Sequence, residues 1–137
     1  MHGSRSGFSL IEIVIAVTIM GIIAGLVVPQ AVQYLRQSKK RATKVALVSV
    51  QEAISLYQSD VGAYPQTLED LKTKPTDEKI AKRWEGPYIK RSPNDAYGRE
   101  LQYVLNPKGA KPPYELYSWG PDGEGSSEDG WIRAGEE

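Results

Sequence analysis

Apolar residues run from Phe8 to Val28 with one interruption, Glu12. That stretch of about 21 residues is long enough to cross a bilayer as a helix. It ends at Gly25-Leu-Val-Val-Pro29 without the small-residue site that follows a secretory signal. From Gln30 to Asp60 there is no Pro or Gly, and the pattern becomes amphipathic. Ala42, Val45, Ala46, Ser49, Ala53, Leu56 and Tyr57 recur at three- and four-residue steps, predicting one buried helical face. Leu47, Val50, Ile54 and Val61 widen it. A helix from Phe8 to about Asp60 would be on the order of 80 Å long, with Pro29, Gly21 and Gly25 as its weak points and a kink expected at the proline.

Val61-Gly62-Ala63-Tyr64-Pro65 predicts the stop, with Gly62 as the C-terminal cap. Thr67-Leu-Glu-Asp70 reads as a capping box with Asp in the Glu/Gln position, opening a short second helix. Lys72 to Arg83 reads as loop. Beyond it, turn signals dominate. Leu101–Leu105 and Tyr114–Ser118 alternate Tyr, Val and Leu as strands do, and a third, shorter strand falls at Trp131-Ile132. The fold class expected is α+β: a long N-terminal helix with a small C-terminal antiparallel sheet in a loop-rich head. The segments are 1–7 as a leader, 8–29 as a membrane-spanning or filament-core helix, 30–62 as a helical spine and 63–137 as the head.

Composition narrows the function. The 137 residues carry 17 Lys+Arg and 17 Asp+Glu, so no net field favours nucleic acid. There is no cysteine, and the single histidine, His2, lies in the leader. The body therefore lacks the commonest general base, thiolate chemistry and zinc ligands, which argues against an enzyme. No acid lies between Glu12 and Glu52, while Arg36, Lys39, Lys40, Arg41 and Lys44 cluster there. That cluster reads as a solvated helix face or as a contact for lipid headgroups.

Glu12 is the residue that most needs an explanation. A carboxylate in such a span costs on the order of 2.5–3.5 kcal/mol. Two readings stand: an acid near the interface end of a simple anchor, or a carboxylate awaiting a cation from another subunit. A free α-amine at Phe8 would be such a cation, if the chain were cut before it. Gly7-Phe8-Ser9-Leu10-Ile11-Glu12 resembles the prepilin-peptidase site of type IV pilin-like proteins. The resemblance implies cleavage after Gly7, methylation of Phe8, and neutralisation by Glu12 of a neighbouring subunit's terminal amine. It also implies a periplasmic head, against the positive-inside rule, which would put the basic cluster in the cytoplasm.

Tyr57-Gln-Ser-Asp-Val-Gly-Ala-Tyr-Pro65, Gly86-Pro-Tyr-Ile-Lys90, Pro93-Asn-Asp-Ala-Tyr-Gly98 and Tyr117-Ser-Trp-Gly-Pro-Asp-Gly123 resemble, in order, the major pseudopilins of type II secretion. That implies a structural subunit that polymerises from the inner membrane into a periplasmic filament and helps folded proteins cross the outer membrane. Implied partners are further copies, minor pseudopilins, an inner-membrane assembly platform and the prepilin peptidase. The alternatives are a type IV pilin or minor pilin, and an anchored binding domain that never polymerises.

Many type IV pilins close the tail with a disulfide, impossible here. By itself, Asp122-Gly-Glu-Gly-Ser-Ser-Glu-Asp129 reads as a polar turn and lacks EF-hand spacing. The resemblance instead implies calcium in this loop, with carboxylates from Asp122 and Asp129, carbonyls from Trp119 and Ser127, and Glu128 as a further candidate.

Overall fold

The computed structural model describes residues 7–134, in two compact units, residues 7–37 and 38–134. Helix α1 spans Leu10–Val61 without a break in assignment, Pro29 included. Proline removes one bond from the ladder there, but helical bonding resumes and α1 continues. It stops where expected, because Gly62 takes φ +82°, open to a residue without Cβ, and its N–H donates to the Gln58 carbonyl at 2.9 Å.

Among the described residues, nothing covers the apolar side chains of the first unit. Phe8 is 81% exposed, and none of the most apolar 18-residue window, of mean hydropathy 2.7, is buried. Exposure on every side of a helix is the pattern of a segment whose solvent is lipid or other apolar helices.

The second unit has a true core. Leu47, Val50, Ala53, Ile54, Tyr57 and Val61 of α1 pack with Leu71, Leu101, Leu116 and Ile132. Three strands, β1 (Gln102–Leu105), β2 (Tyr114–Ser118) and β3 (Ile132–Arg133), form an antiparallel sheet in that order. Tyr103 faces Leu116 across β1–β2, and Ser118 faces Ile132 across β2–β3. The strands match the expected positions to within a residue.

Two expectations need correction. The centre of the buried face lies on Leu47, Val50, Ile54, Tyr57 and Val61; Ala42, Ser49, Val45 and Leu56 are exposed, the last two at 66% and 59%. Small and apolar residues lie on both sides of this helix, so periodicity alone did not say which side meets the sheet. Residues 72–83 are not all loop, since α2 (Glu78–Ala81) forms one turn, capped where Asp77 Oδ1 accepts from Lys79 and Ile80 N–H at 2.9 and 3.2 Å. The short helix expected after Thr67 is present as a 3-10 helix, Leu68–Leu71. Asp70 Oδ2 there takes the N–H groups of Gln66 and Thr67 at 2.8 and 3.1 Å.

Side chains replace a sheet's ladder over much of the tail. Trp84 Nε1 donates to the Asp70 carbonyl at 2.9 Å, Tyr88 Oη to Asp60 at 2.8 Å and Tyr103 Oη to the Pro65 carbonyl at 2.7 Å. Burial, then the neighbouring Tyr114, pushes the Tyr103 phenol far above its ordinary range, so it keeps its proton.

The two sides of α1 predict different mutational costs. In a soluble fragment beginning near Gln33, Ile54→Ala should lower stability by about 2–5 kcal/mol in denaturant melts. Val45→Ala should change it by no more than about 0.5 kcal/mol.

Candidate assembly terminus and acidic loop

At the N-terminal end, α1 begins just after Ser9, and the sequence Ser9-Leu-Ile-Glu12 suits a capping box. Its reciprocal half forms: Ser9 N–H approaches Glu12 Oε2 at 3.4 Å, while Glu12 and Ile13 N–H donate to the Ser9 carbonyl at 3.1 and 3.2 Å. One long, weak contact leaves most of the capacity of the carboxylate unused. Glu12 thus lies in the first turn, four residues from an exposed Phe8, able to accept a cationic donor from outside its own helix. A negative charge at that position is favourably placed, at the positive end of the helix dipole. Gly7 lies before the helix, and leader residues 1–6 are outside the described residues.

In the tail, a buried carboxylate the sequence reading did not single out ties the loop to the core. Asp95 Oδ1 accepts from Tyr97 and Arg99 N–H, both at 2.9 Å, and Oδ2 from Ser118 Oγ at 2.7 Å. Ser118 Oγ in turn accepts Gly120 N–H at 3.0 Å. Arg99 donates to the Gly120 carbonyl, and its Nε lies 3.8 Å from Asp95 Oδ2. Next door, Ala96 N–H donates to Thr43 Oγ1 of α1 at 3.1 Å. The available signal was the turn Pro93-Asn-Asp-Ala-Tyr-Gly98, where an Asp commonly bonds the backbone two residues on.

The acidic loop springs from Gly120, whose φ is +71° and where a Cβ would stand 2.3 Å from the Gly130 carbonyl. Only glycine allows the two ends of the loop to meet that closely. Ser126 Oγ donates to the Trp119 carbonyl at 3.3 Å. A Cβ at Gly130 would lie 3.4 Å from Asp122 Oδ2 and 4.0 Å from Ser126 Oγ. Trp119, Asp122 and Ser126 thus surround one small space. Ser126 was absent from the sequence-derived set, which named Ser127 instead. Glu128 pairs with Arg133 at 3.4 Å, and Ser127, just before the short 3-10 turn Glu128–Gly130, and Asp129, within it, are exposed. Trp131 fastens the loop to the sheet. Its ring stacks on Tyr117 at 4.3 Å and Nε1 donates to the Ser126 carbonyl at 3.3 Å. Among the described residues, no three His, Cys, Asp or Glu side chains gather as a metal cluster. A hard cation here would draw mainly on carbonyl and hydroxyl oxygens with one or two carboxylates, a donor set that suits calcium.

The family description "Type II secretion system (T2SS), protein G" matches residues 30–133, and "Prokaryotic N-terminal methylation motif" matches residues 3–28. The chain belongs to the type II secretion system protein G family. The Pseudomonas aeruginosa type II secretion system core protein G is 42% identical over 129 residues, covering 90% of this chain and 89% of that protein. The Escherichia coli K12 protein of the same name is 38% identical, covering 91% and 88%. The crystal structure of the major pseudopilin from the type 2 secretion system of enterohaemorrhagic Escherichia coli matches with a TM-score of 0.61 and 29% identity, over 73% of this chain and 85% of that one. The α+β pilin-like fold expected from the sequence is therefore the fold of this protein.

Removing the buried carboxylate should be costly. Asp95→Ala in the soluble fragment strands the Ser118 hydroxyl and two N–H groups and should lower stability on the order of 3 kcal/mol, read by thermal or denaturant unfolding.

Proposed function

We propose that this chain is the filament-forming pseudopilin of a type II secretion system: an inner-membrane precursor, cut after Gly7, methylated on Phe8 and polymerised into a periplasmic pseudopilus. The observation that carries this reading is the union, in one family member, of a wholly uncovered apolar helix with Gly7, Phe8 and Glu12 at its head. In the filament, a neighbour's terminal amine donates to the Glu12 carboxylate, so that two charges costly in an apolar core neutralise each other. The protein is a structural subunit and catalyses nothing. It works with further copies, minor pseudopilins, the inner-membrane assembly platform and the prepilin peptidase.

Replacing Glu12 tests the assembly role. In the full-length chain, Glu12→Ala should leave membrane insertion intact and abolish filaments seen by electron microscopy. Filaments in normal yield would overturn the role given to this residue.

Calcium in the acidic loop is a second part of the proposal. Trp119, Asp122 and Asp129 would hold it, with the Ser127 carbonyl, while Glu128 is drawn aside by Arg133. The bound ion would draw the two limbs of the loop together where a disulfide is impossible. A ligand that binds only the folded state raises stability by mass action, about 2.7 kcal/mol at a hundredfold excess over Kd. Calcium should therefore raise the melting temperature of the soluble fragment, chelator should reverse the rise, and Asp122→Ala should abolish it. An unchanged melt would make the loop a turn and nothing more.

A further inference from the structure

Gly120 is held through both of its peptide planes. In the first, its N–H donates to Ser118 Oγ at 3.0 Å, and the Trp119 carbonyl of the same plane accepts from Ser126 Oγ at 3.3 Å. The second plane leads into Pro121 and has no N–H, so the Gly120 carbonyl is its one hydrogen-bonding group. Arg99 Nη2 donates to that carbonyl. Both restraints lead back to a single atom. Ser118 Oγ donates to Asp95 Oδ2 at 2.7 Å, and Arg99 Nε lies 3.8 Å from the same oxygen.

The guanidinium of Arg99 reaches beyond Gly120. A Cβ at Gly123, where φ is +82°, would stand 2.7 Å from Arg99 Nη1. Gly120 and Gly123 are buried, while Pro121 and Asp122 between them are exposed. The side chain therefore underlies the whole turn Gly120-Pro-Asp-Gly123. An arginine placed for Asp95 alone would bond it through Nε. Here Nε is buried without a hydrogen bond, and Nη2 serves the loop instead.

We propose that Arg99 is a positioning residue for a divalent cation in the acidic loop. It fixes the Gly120–Pro121 peptide plane, and with it the directions of the Trp119 carbonyl before that plane and of Asp122 after it. The inference rests on the calcium reading above and adds to it a residue from outside the loop. A guanidinium has two opposed effects on a neighbouring cation. Its charge repels the ion, while its hold on the turn removes freedom that binding would otherwise have to remove. Asp95 decides between them, because a carboxylate 3.8 Å away cancels most of that charge as felt from the loop and leaves the orienting effect. Groups that orient metal ligands from behind typically change affinity by about 10–100-fold when replaced.

Calorimetric titration of the full-length chain with calcium, in detergent micelles, separates the two effects. Arg99→Lys and Arg99→Met should each weaken calcium binding about tenfold or more. Lysine keeps the charge, but its single ammonium cannot reproduce the fork that spans Asp95 and the turn. A merely structural role would lower the calcium-free melting temperature and leave the Kd of the folded chain unchanged, and that result would overturn the proposal. Binding unchanged by lysine and tightened by methionine would also overturn it, in favour of charge alone. The Arg99 side chain is 33% exposed, and lysine retains its stem and charge, so the lysine variant decides if methionine does not fold. Equal calcium binding by all three chains would overturn this inference and leave the calcium reading standing. No uptake by the unsubstituted chain would overturn both.

Discussion

The tail depends on one buried carboxylate. Residues 62–134 contain three strands of two to five residues and three short turns of helix, so most of their backbone polar groups have no ladder to join. Buried N–H groups left unpaired each cost on the order of 1–3 kcal/mol. Asp95 answers for several of them at once, directly for Tyr97 and Arg99 and through Ser118 for Gly120. Because those groups belong to the turn before β1, to β2 and to the root of the acidic loop, the carboxylate joins segments remote in sequence. Thr43 brings the adjacent Ala96 onto α1, beside the apolar core. Asp95 is tolerated in the interior because three hydrogen bonds and the nearby Arg99 guanidinium compensate its carboxylate.

How much of this was legible in the sequence follows from the range of each interaction. The stop of α1 and the three strands were readable because Gly62 and the alternation of Tyr, Val and Leu act locally. The one-turn α2 was readable in principle from Asp77 ahead of Glu78-Lys79-Ile80, but a four-residue turn lies below what periodicity can register. The buried face of α1 was misplaced for another reason. Val45 and Leu56 are as apolar as Leu47 and Ile54, and only the position of the sheet distinguishes them. A helix that is apolar on two sides declares two partners, and the sequence does not order them.

The sites divide in the same way. Glu12 stood out because composition alone makes a carboxylate anomalous in that span, while its contact with Ser9 follows from a four-residue motif that the sequence reading passed over. In the acidic loop, sequence reading named the oxygens but not their directions. Arg133 lies outside the loop, so its claim on Glu128 was invisible until β3 was placed. Ser126 became relevant only when Gly120 and Gly130 were seen to meet.

These connections limit what a cation in the loop could do. The root is held without metal, by Ser118 and Arg99 on Gly120, and the far limb by Trp131 on the Ser126 carbonyl and on Tyr117. Those contacts do not involve the exposed carboxylates of Asp122 and Asp129, near the two ends of the loop, and they use only part of the Trp119 carbonyl's capacity. A divalent ion would therefore act between the two limbs of the loop, bringing two like charges onto one cation, and would add little to the sheet itself. Pinning the tail without a disulfide would then be shared: hydrogen bonds fix where the loop leaves and rejoins the sheet, and ionic bonding fixes the shape of the surface between. Only the second part would depend on the proposed calcium, so the ion would shape the exposed loop while the Asp95 network holds the core unchanged.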